Sequence, residues 1–284
     1  MRFILSQKVP RSLRFKDQLN AIVLDKSWFY LHRTRGFVRV FPGDEMPGSI
    51  SVRHKSHILK IMFLTALARP QADRNVDGRV GTWRICEEKV CDRTSLYHQR
   101  GDTYIHDCTL DADLYCQYMV GTEDVDCVFD EIKILMPWLR GHPIIVQQDG
   151  APPHTGHDNV EFFNNEGQKD GWNITVVTQP ALSLDLNVND LCFFRSLKCR
   201  VEQLKAEEAT LENLNKAVLE AWDEYDSVTL ERIWGHQFAC YRSILEDQGG
   251  NWYEAPHTGA RTRQSCGLQV VDLKVKRALI TQAQ

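Results

Sequence analysis

Three aspartates stand where the chain could have used a cheaper residue. Asp25 continues the apolar run Ala21-Ile22-Val23-Leu24, inside a segment whose neighbours read as a strand. Asp149 follows a strand whose Pro143–Val146 run is apolar enough to be central and buried. Gly150, Pro152 and Pro153 then turn the chain out of the sheet at the strand's carboxyl end, the edge where open mixed sheets hold ligands. A carboxylate there is placed for ligand chemistry, although Asp-Gly-Ala-Pro is also a good turn sequence. Asp190 precedes Leu191-Cys192-Phe193-Phe194. With Asn187 as N-cap it occupies the third helical position, where helix capping accounts for it as well as chemistry does.

The elements that must position these residues can be read from periodicity. Extended segments are expected at Ala21–Asp25, at Trp28–Leu31, at Phe37–Phe41 before the Pro42-Gly43 turn, and at Ile58–Ala66, forming an antiparallel meander. From Arg69 to about Gly101 the composition turns polar, which predicts an irregular insertion with at most one short hairpin. Helical spacing over Asp111–Leu139 predicts two helices broken near Gly121, followed by the strand Pro143–Gln147. A short helix at Asn159–Asn165, a buried strand at Trp172–Thr178, a long helix from Val188 to about Ala206, and helix again over 211–247 complete the reading. Strands followed by alternating strands and helices indicate an α/β fold, a mixed sheet flanked by helices with a helical C-terminal part. Residues 1–19 carry Arg2, Lys8, Arg11, Arg14 and Lys16, a basic arm or remnant, and the polar residues 258–284 read as a loosely ordered tail.

The totals set bounds. With 284 residues, 43% hydrophobic and 25% charged, the chain has ample material for a core. No apolar run approaches the ~18 residues of a membrane span, and the first residues lack a secretory signal, so an intracellular site is expected. The nine cysteines are then expected to be reduced. Cys86 and Cys91, followed by His106, Cys108, Cys116 and Cys127, lack the paired knuckles of a structural zinc site. A net charge of -4 argues against a protein that coats nucleic acid, but not against local basic clusters.

Taken in order, Leu-Asp-Lys-Ser-Trp-Phe around Asp25, Gln-Gln-Asp-Gly-Ala-Pro-Pro-His around Asp149 and Asp-Leu-Asn-Val-Asn-Asp-Leu around Asp190 resemble the mariner-type transposases of the DDE/DDD superfamily. The likeness extends through Lys60–Ala66, Asp170-Gly171-Trp172 and Gly249-Gly250-Asn251, covering roughly residues 20–257. It implies a ribonuclease H-like catalytic domain in which Asp25, Asp149 and Asp190 converge. Asp185 is the rival third acid. Asp190 is preferred because it stands five residues beyond Asp185, where the family's Asp-Leu-Asn-Pro-Ile-Glu pattern places its third acid.

The chemistry implied is phosphodiester cleavage and strand transfer with two Mg2+ or Mn2+ ions, which stabilise charge on both the attacking and the leaving oxygen. Hard oxygen ligands suit magnesium, and three carboxylates crowded together without a cation would repel one another. Gln148 and His154 flank the site as supporting residues. Arg33, Arg35, Arg39, Arg53, Lys55 and Lys60 near the first acid, and Arg195, Lys198 and Arg200 after the third, are the basic residues expected to hold DNA phosphates. The resemblance also implies homodimers that join two DNA ends, and a nuclear location in a eukaryote.

The sequence departs from the family in places. Leu182-Ser183-Leu184-Asp185 replaces the usual Asn-Ser-Pro-Asp, and Gly150 stands where many members have Asn. The 24 residues ahead of Asp25 are too few for the helix-turn-helix modules that find transposon ends. Two other readings therefore stand beside a transposase: an inactive relic or host-adopted protein that only binds DNA, and a nuclease acting on other nucleic acid.

Overall fold

The structure is a computed structural model, and it describes residues 2–10, 12–31, 58–94, 99–122, 126–204, 210–250, 252–254, 256, 259 and 271–276. Six strands form one sheet in the order β4-β3-β2-β1-β5-β6. These are β1 (Ala21–Tyr30), β2 (Lys60–Ala68), β3 (Arg79–Val90), β4 (Thr103–Asp107), β5 (Ile144–Gln148) and β6 (Ile174–Thr178). The first four pair antiparallel, whereas β1, β5 and β6 run parallel.

Central β1 is apolar on both faces because both faces are covered. Val23 and Phe29 join one core with Phe63, Leu197, Leu214, Trp234 and Phe238, whereas Ile22 and Leu24 join another with Leu64, Tyr115, Ile132 and Phe163. Helices α1 (Arg2–Ser6), α6 (Phe194–Leu204), α7 (Leu211–Asp223) and α8 (Ser227–Glu246) supply the first core. Helices α2 (Ala112–Val120), α3 (Val128–Leu135) and α5 (Asn159–Glu166) supply the second, and the short α4 (Pro152–Thr155) follows β5 directly. No helix among the described residues is long and apolar enough to cross a membrane.

Local chemistry sets the boundaries. Asp111, Thr210 and Asp226 cap α2, α7 and α8 by accepting backbone N–H bonds. Gly167 ends α5 against β6, where a Cβ would stand 2.3 Å from the carbonyl oxygen of Ile174. Only glycine permits that approach.

Three expectations are corrected. The stretch 69–101, expected to be irregular, contains β3, a 12-residue strand inside the sheet; its polar residues fall on the exposed half while Val80, Trp83 and Ile85 are buried. The basic segment 1–19 is no free arm, since Ile4 and Phe15 are each 1% exposed and Phe15 packs against the rings of Phe238 and Tyr241. Within the tail, Val271 and Val275 are buried in the same core, and the amide of Val275 donates to Leu13. The strand expected at Phe37–Phe41, like Arg33, Arg35, Arg39, Arg53 and Lys55, lies outside the described residues.

Candidate active site

Parallel pairing of β1 with β5 sets Val23 opposite Gln147. Two residues further along each strand stand Asp25 and Asp149, so the register brings the first two acids side by side at the sheet's ligand edge. The third arrives from the other direction. After β6 the chain makes a turn at Leu184–Leu186, then one π-helical turn at Asn189–Phe193 that runs into α6 and carries Asp190.

Buried amides fasten this connection to the sheet. Gln147 donates to the carbonyl of Leu186 at 2.8 Å, and so does Gln237 of α8. Asn187 donates to the carbonyl of Leu24 and to Asp25 Oδ2, each at 3.2 Å. Its own oxygen accepts the amide of Asn189 at 3.0 Å, and the Asn189 side chain donates to the carbonyl of Val23 at 3.0 Å. Asn187 therefore receives an N–H as a cap would, while also gripping the first acid.

The carboxyls of Asp25 and Asp190 lie near enough for each to shift the other's titration. Burial, followed by the charge of Asp190, pushes the Asp25 carboxyl up to about 8. Asp25 is 5% exposed, and its raised carboxyl favours the protonated form. Asp190 is more open to solvent; it too is raised, first by the protein mass around its carboxyl and then by the charge of Asp149. Asp149 behaves oppositely. Burial would raise it, but the bond and charge of His154, reinforced by Lys26, hold it at about 2. One Asp149 oxygen contacts His154 Nδ1 and the other lies 3.6 Å from Lys26 Nζ. Among the described residues no three His, Cys, Asp or Glu side chains form a ready-made metal-holding group. Asp25 and Asp190 are together, and Asp149 beside them is turned toward its cationic and imidazole neighbours.

The supporting residues are more deeply built in than a post-proline loop suggests. His154, expected as readily on the surface, is 1% exposed and stacks on Tyr115 with ring centroids 4.2 Å apart. Tyr115 donates to Gln148 at 2.8 Å, and Gln148 donates to the carbonyl of His154 at 3.1 Å. Asp185 accepts a hydrogen bond from the Tyr253 hydroxyl. Lys198 reaches Ser27 Oγ at 2.7 Å, and burial lowers its ammonium while Asp190 and Asp25 oppose that shift. Arg195 is exposed on α6.

Sequence reasoning missed Lys26 and Tyr115. Lys26 lies within the Leu-Asp-Lys-Ser-Trp-Phe motif, so its presence was visible and its partner was not. Tyr115 carried no signal beyond helical spacing.

A mixed sheet with helices on both faces and acids at the parallel edge defines the ribonuclease H-like class. No family model and no curated protein matches the chain. Solved structures do, and they show the fold of the mariner transposase catalytic domain. The Mos1 mariner paired end complex with Mn aligns at TM-score 0.61 and 16% identity, over 89% of this chain and 61% of that one. A pre-cleavage Mos1 transpososome gives 0.58 and 18%, with the same coverage. The catalytic domain of Mos1 mariner transposase gives 0.54 and 16%, over 89% of this chain and 91% of that one. The chain thus spans 61% of the length of the Mos1 chains in the two complexes.

Proposed function

We propose that this domain cleaves DNA strands and transfers them, with Asp25, Asp149 and Asp190 holding two divalent cations, Mg2+ or Mn2+. The observation that carries the proposal is the convergence of Asp25, Asp149 and Asp190, three carboxylates drawn from β1, the end of β5 and the turn that leads into α6. Crowding acids is costly scaffolding, and a raised carboxyl is the sign of that cost. The Mos1 structures with Mn and with Mg, and the Mos1 Strand Transfer Complex, share this fold and support the reading.

The donors fit hard cations, being carboxylate oxygens without sulfur. Bound ions would activate a water or a 3'-hydroxyl and neutralise the departing oxygen. The chain's own residues do the rest. Asn187 fixes the Asp25 carboxyl; to hold the ions, Asp25 would release its proton and Asp149 would turn from His154 and Lys26, its present partners, toward the other two. Lys26, which also lies 3.1 Å from His154 Nε2, and Lys198 are the ammonium groups beside the acids that can hold a phosphate. Arg195 extends that surface along α6. Transposon-end and target DNA are the proposed partners, a homodimer the proposed assembly, and the nucleus the proposed location in a eukaryote.

The ion pair between Lys26 and Asp149 also favours a second reading, in which the site is closed and the domain only binds DNA. Incubation of the protein with supercoiled plasmid and Mg2+ or Mn2+ separates the two. Nicked circles that require metal and vanish in Asp149→Asn are expected; a protein that binds the plasmid yet leaves it intact with either metal is a binding protein.

A further inference from the structure

β1 outruns its parallel neighbour. β5 pairs with it only from Ala21 to Val23, whereas β2 stays paired as far as Tyr30, so beyond Val23 no described strand occupies that edge of β1. Alternate residues of a strand share a face, and Val23 and Phe29 both enter the core that α6 helps to close. Asp25 and Ser27 therefore look the same way, toward α6. Ser27 stands about 7 Å further along the strand at ~3.4 Å per residue.

Lys198 reaches that place from α6. Its ammonium lies 2.7 Å from Ser27 Oγ, with the ring centroids of Phe29 and Phe194 at 5.6 Å and 5.9 Å. The hydroxyl and the two rings confine a side chain that is otherwise among the most mobile. An ammonium carries three donor hydrogens, and Ser27 takes one of them. Among the described residues no carboxylate is ion-paired with it; Asp190 and Asp25 act on it only as charge, against the burial that lowers it. A half-buried ammonium with hydrogens to spare is costly as packing and well suited to an anion.

We infer that Ser27 and Lys198 form a seat for one backbone phosphate of the strand being cut, one or two nucleotides from the scissile bond, an inference that rests on the DNA-cleaving reading above. The offset follows from the strand: the scissile phosphate belongs at Asp25, the seat is about 7 Å beyond it, and successive nucleotides rise ~3.4 Å. Ser27 accepts from the ammonium and keeps its own O–H to donate to the same phosphate. Such a contact reads no base. It sets the register of the strand, so that the acids meet one bond and not its neighbours. The charges of Asp25 and Asp190 oppose a phosphate here until cations on those acids offset them, so binding is measured in Ca2+, which takes oxygen ligands.

The test titrates the full chain with a short duplex of fixed sequence at a series of salt concentrations. Lys198→Met, checked for an unchanged melting temperature, should weaken binding roughly tenfold and reduce the slope of log K against log salt by about 1. Ser27→Ala should weaken binding and leave the slope unchanged, because no charge is lost. Lys133→Met on α3, where the ammonium is paired with Asp130, is the control and should change neither. In the parent protein, single methylphosphonates are placed around the bond that is nicked in Mg2+ or Mn2+. One position, one or two nucleotides from the nick, should cost roughly tenfold in binding, and Lys198→Met should be insensitive there. An unchanged slope for Lys198→Met, or equal sensitivity at every phosphate, would overturn the inference. Nicking by the parent with an unchanged slope in Lys198→Met refutes the phosphate seat alone, and a reduced slope with no nicking by the parent refutes the cleavage reading alone.

Discussion

Asp25 and Asp190 bring their carboxyls together, although one sits mid-strand at 5% exposure and the other opens a helical turn toward solvent. Two ionised carboxylates in that position repel each other, which favours a proton on the buried Asp25 when no cation is bound. Divalent cations and that proton compete for the same oxygens, and the competition sets the first prediction.

Between pH ~4 and ~8 the folded protein holds a proton on Asp25 that the unfolded chain has released, since its carboxyl moves from 3.8 to about 8. Stability without metal therefore falls as pH rises through this window. Asp149, at about 2, contributes in the opposite sense: its stabilisation is present above ~4 and lost as pH falls toward 2. Asp25→Asn removes the titration. Its melting temperature at pH 8 should exceed the parent's by at least about 2 °C, with a smaller gain at pH 5. A gain that does not change with pH contradicts a proton held on Asp25.

His154 is buried, stacked on Tyr115 and bonded to Asp149. His154→Ala should cost about 1–3 kcal/mol in urea unfolding, because it strips Asp149 of a partner and opens a cavity. Thr155→Ala, one residue on and exposed, is the control and should change stability by less than about 0.5 kcal/mol.

Leu182 has φ +57, a left-handed conformation that a branched side chain adopts at a cost, and it is 91% exposed. It stands where the resembling family carries the first residue of Asn-Ser-Pro-Asp. Asparagine tolerates that conformation far better. Leu182→Asn should therefore stabilise the protein by about 1 kcal/mol in chemical denaturation, with no loss of buried contact. An unchanged or lower midpoint argues against the left-handed turn.

Removal of residues 271–284 takes Val271 and Val275 from the core and breaks the backbone bonds to Leu13 and Phe15. A loss of about 2–4 kcal/mol is expected from the two valines alone, measured by urea unfolding. A tail that is merely appended would leave the midpoint where it was.

Much of the fold was legible because apolar periodicity reports burial. The strands at 21–30, 60–68, 144–148 and 174–178, and the break between α2 and α3 at Gly121, follow from it. The exceptions have physical causes. β3 was hidden because its second half is largely open to solvent and carries Glu87, Glu88 and Lys89 in a row, and Phe15 was hidden because the arginines and lysines around it dominate the local composition. At the site, the three acids were readable as motifs. Their partners were not, since Lys26–Asp149 and Tyr115–His154 depend on strand register and on how α2 and α4 meet, which no local pattern encodes.

The most direct measurement is anomalous diffraction from crystals soaked in Mn2+, with Asp149→Asn crystals treated alike. The account predicts two manganese peaks bound by the carboxylates of Asp25, Asp149 and Asp190, with Asp149 turned away from His154, and loss of at least one peak in the variant. Parent crystals that show no manganese at these oxygens, with Asp149 still bound to His154 and Lys26, would contradict it.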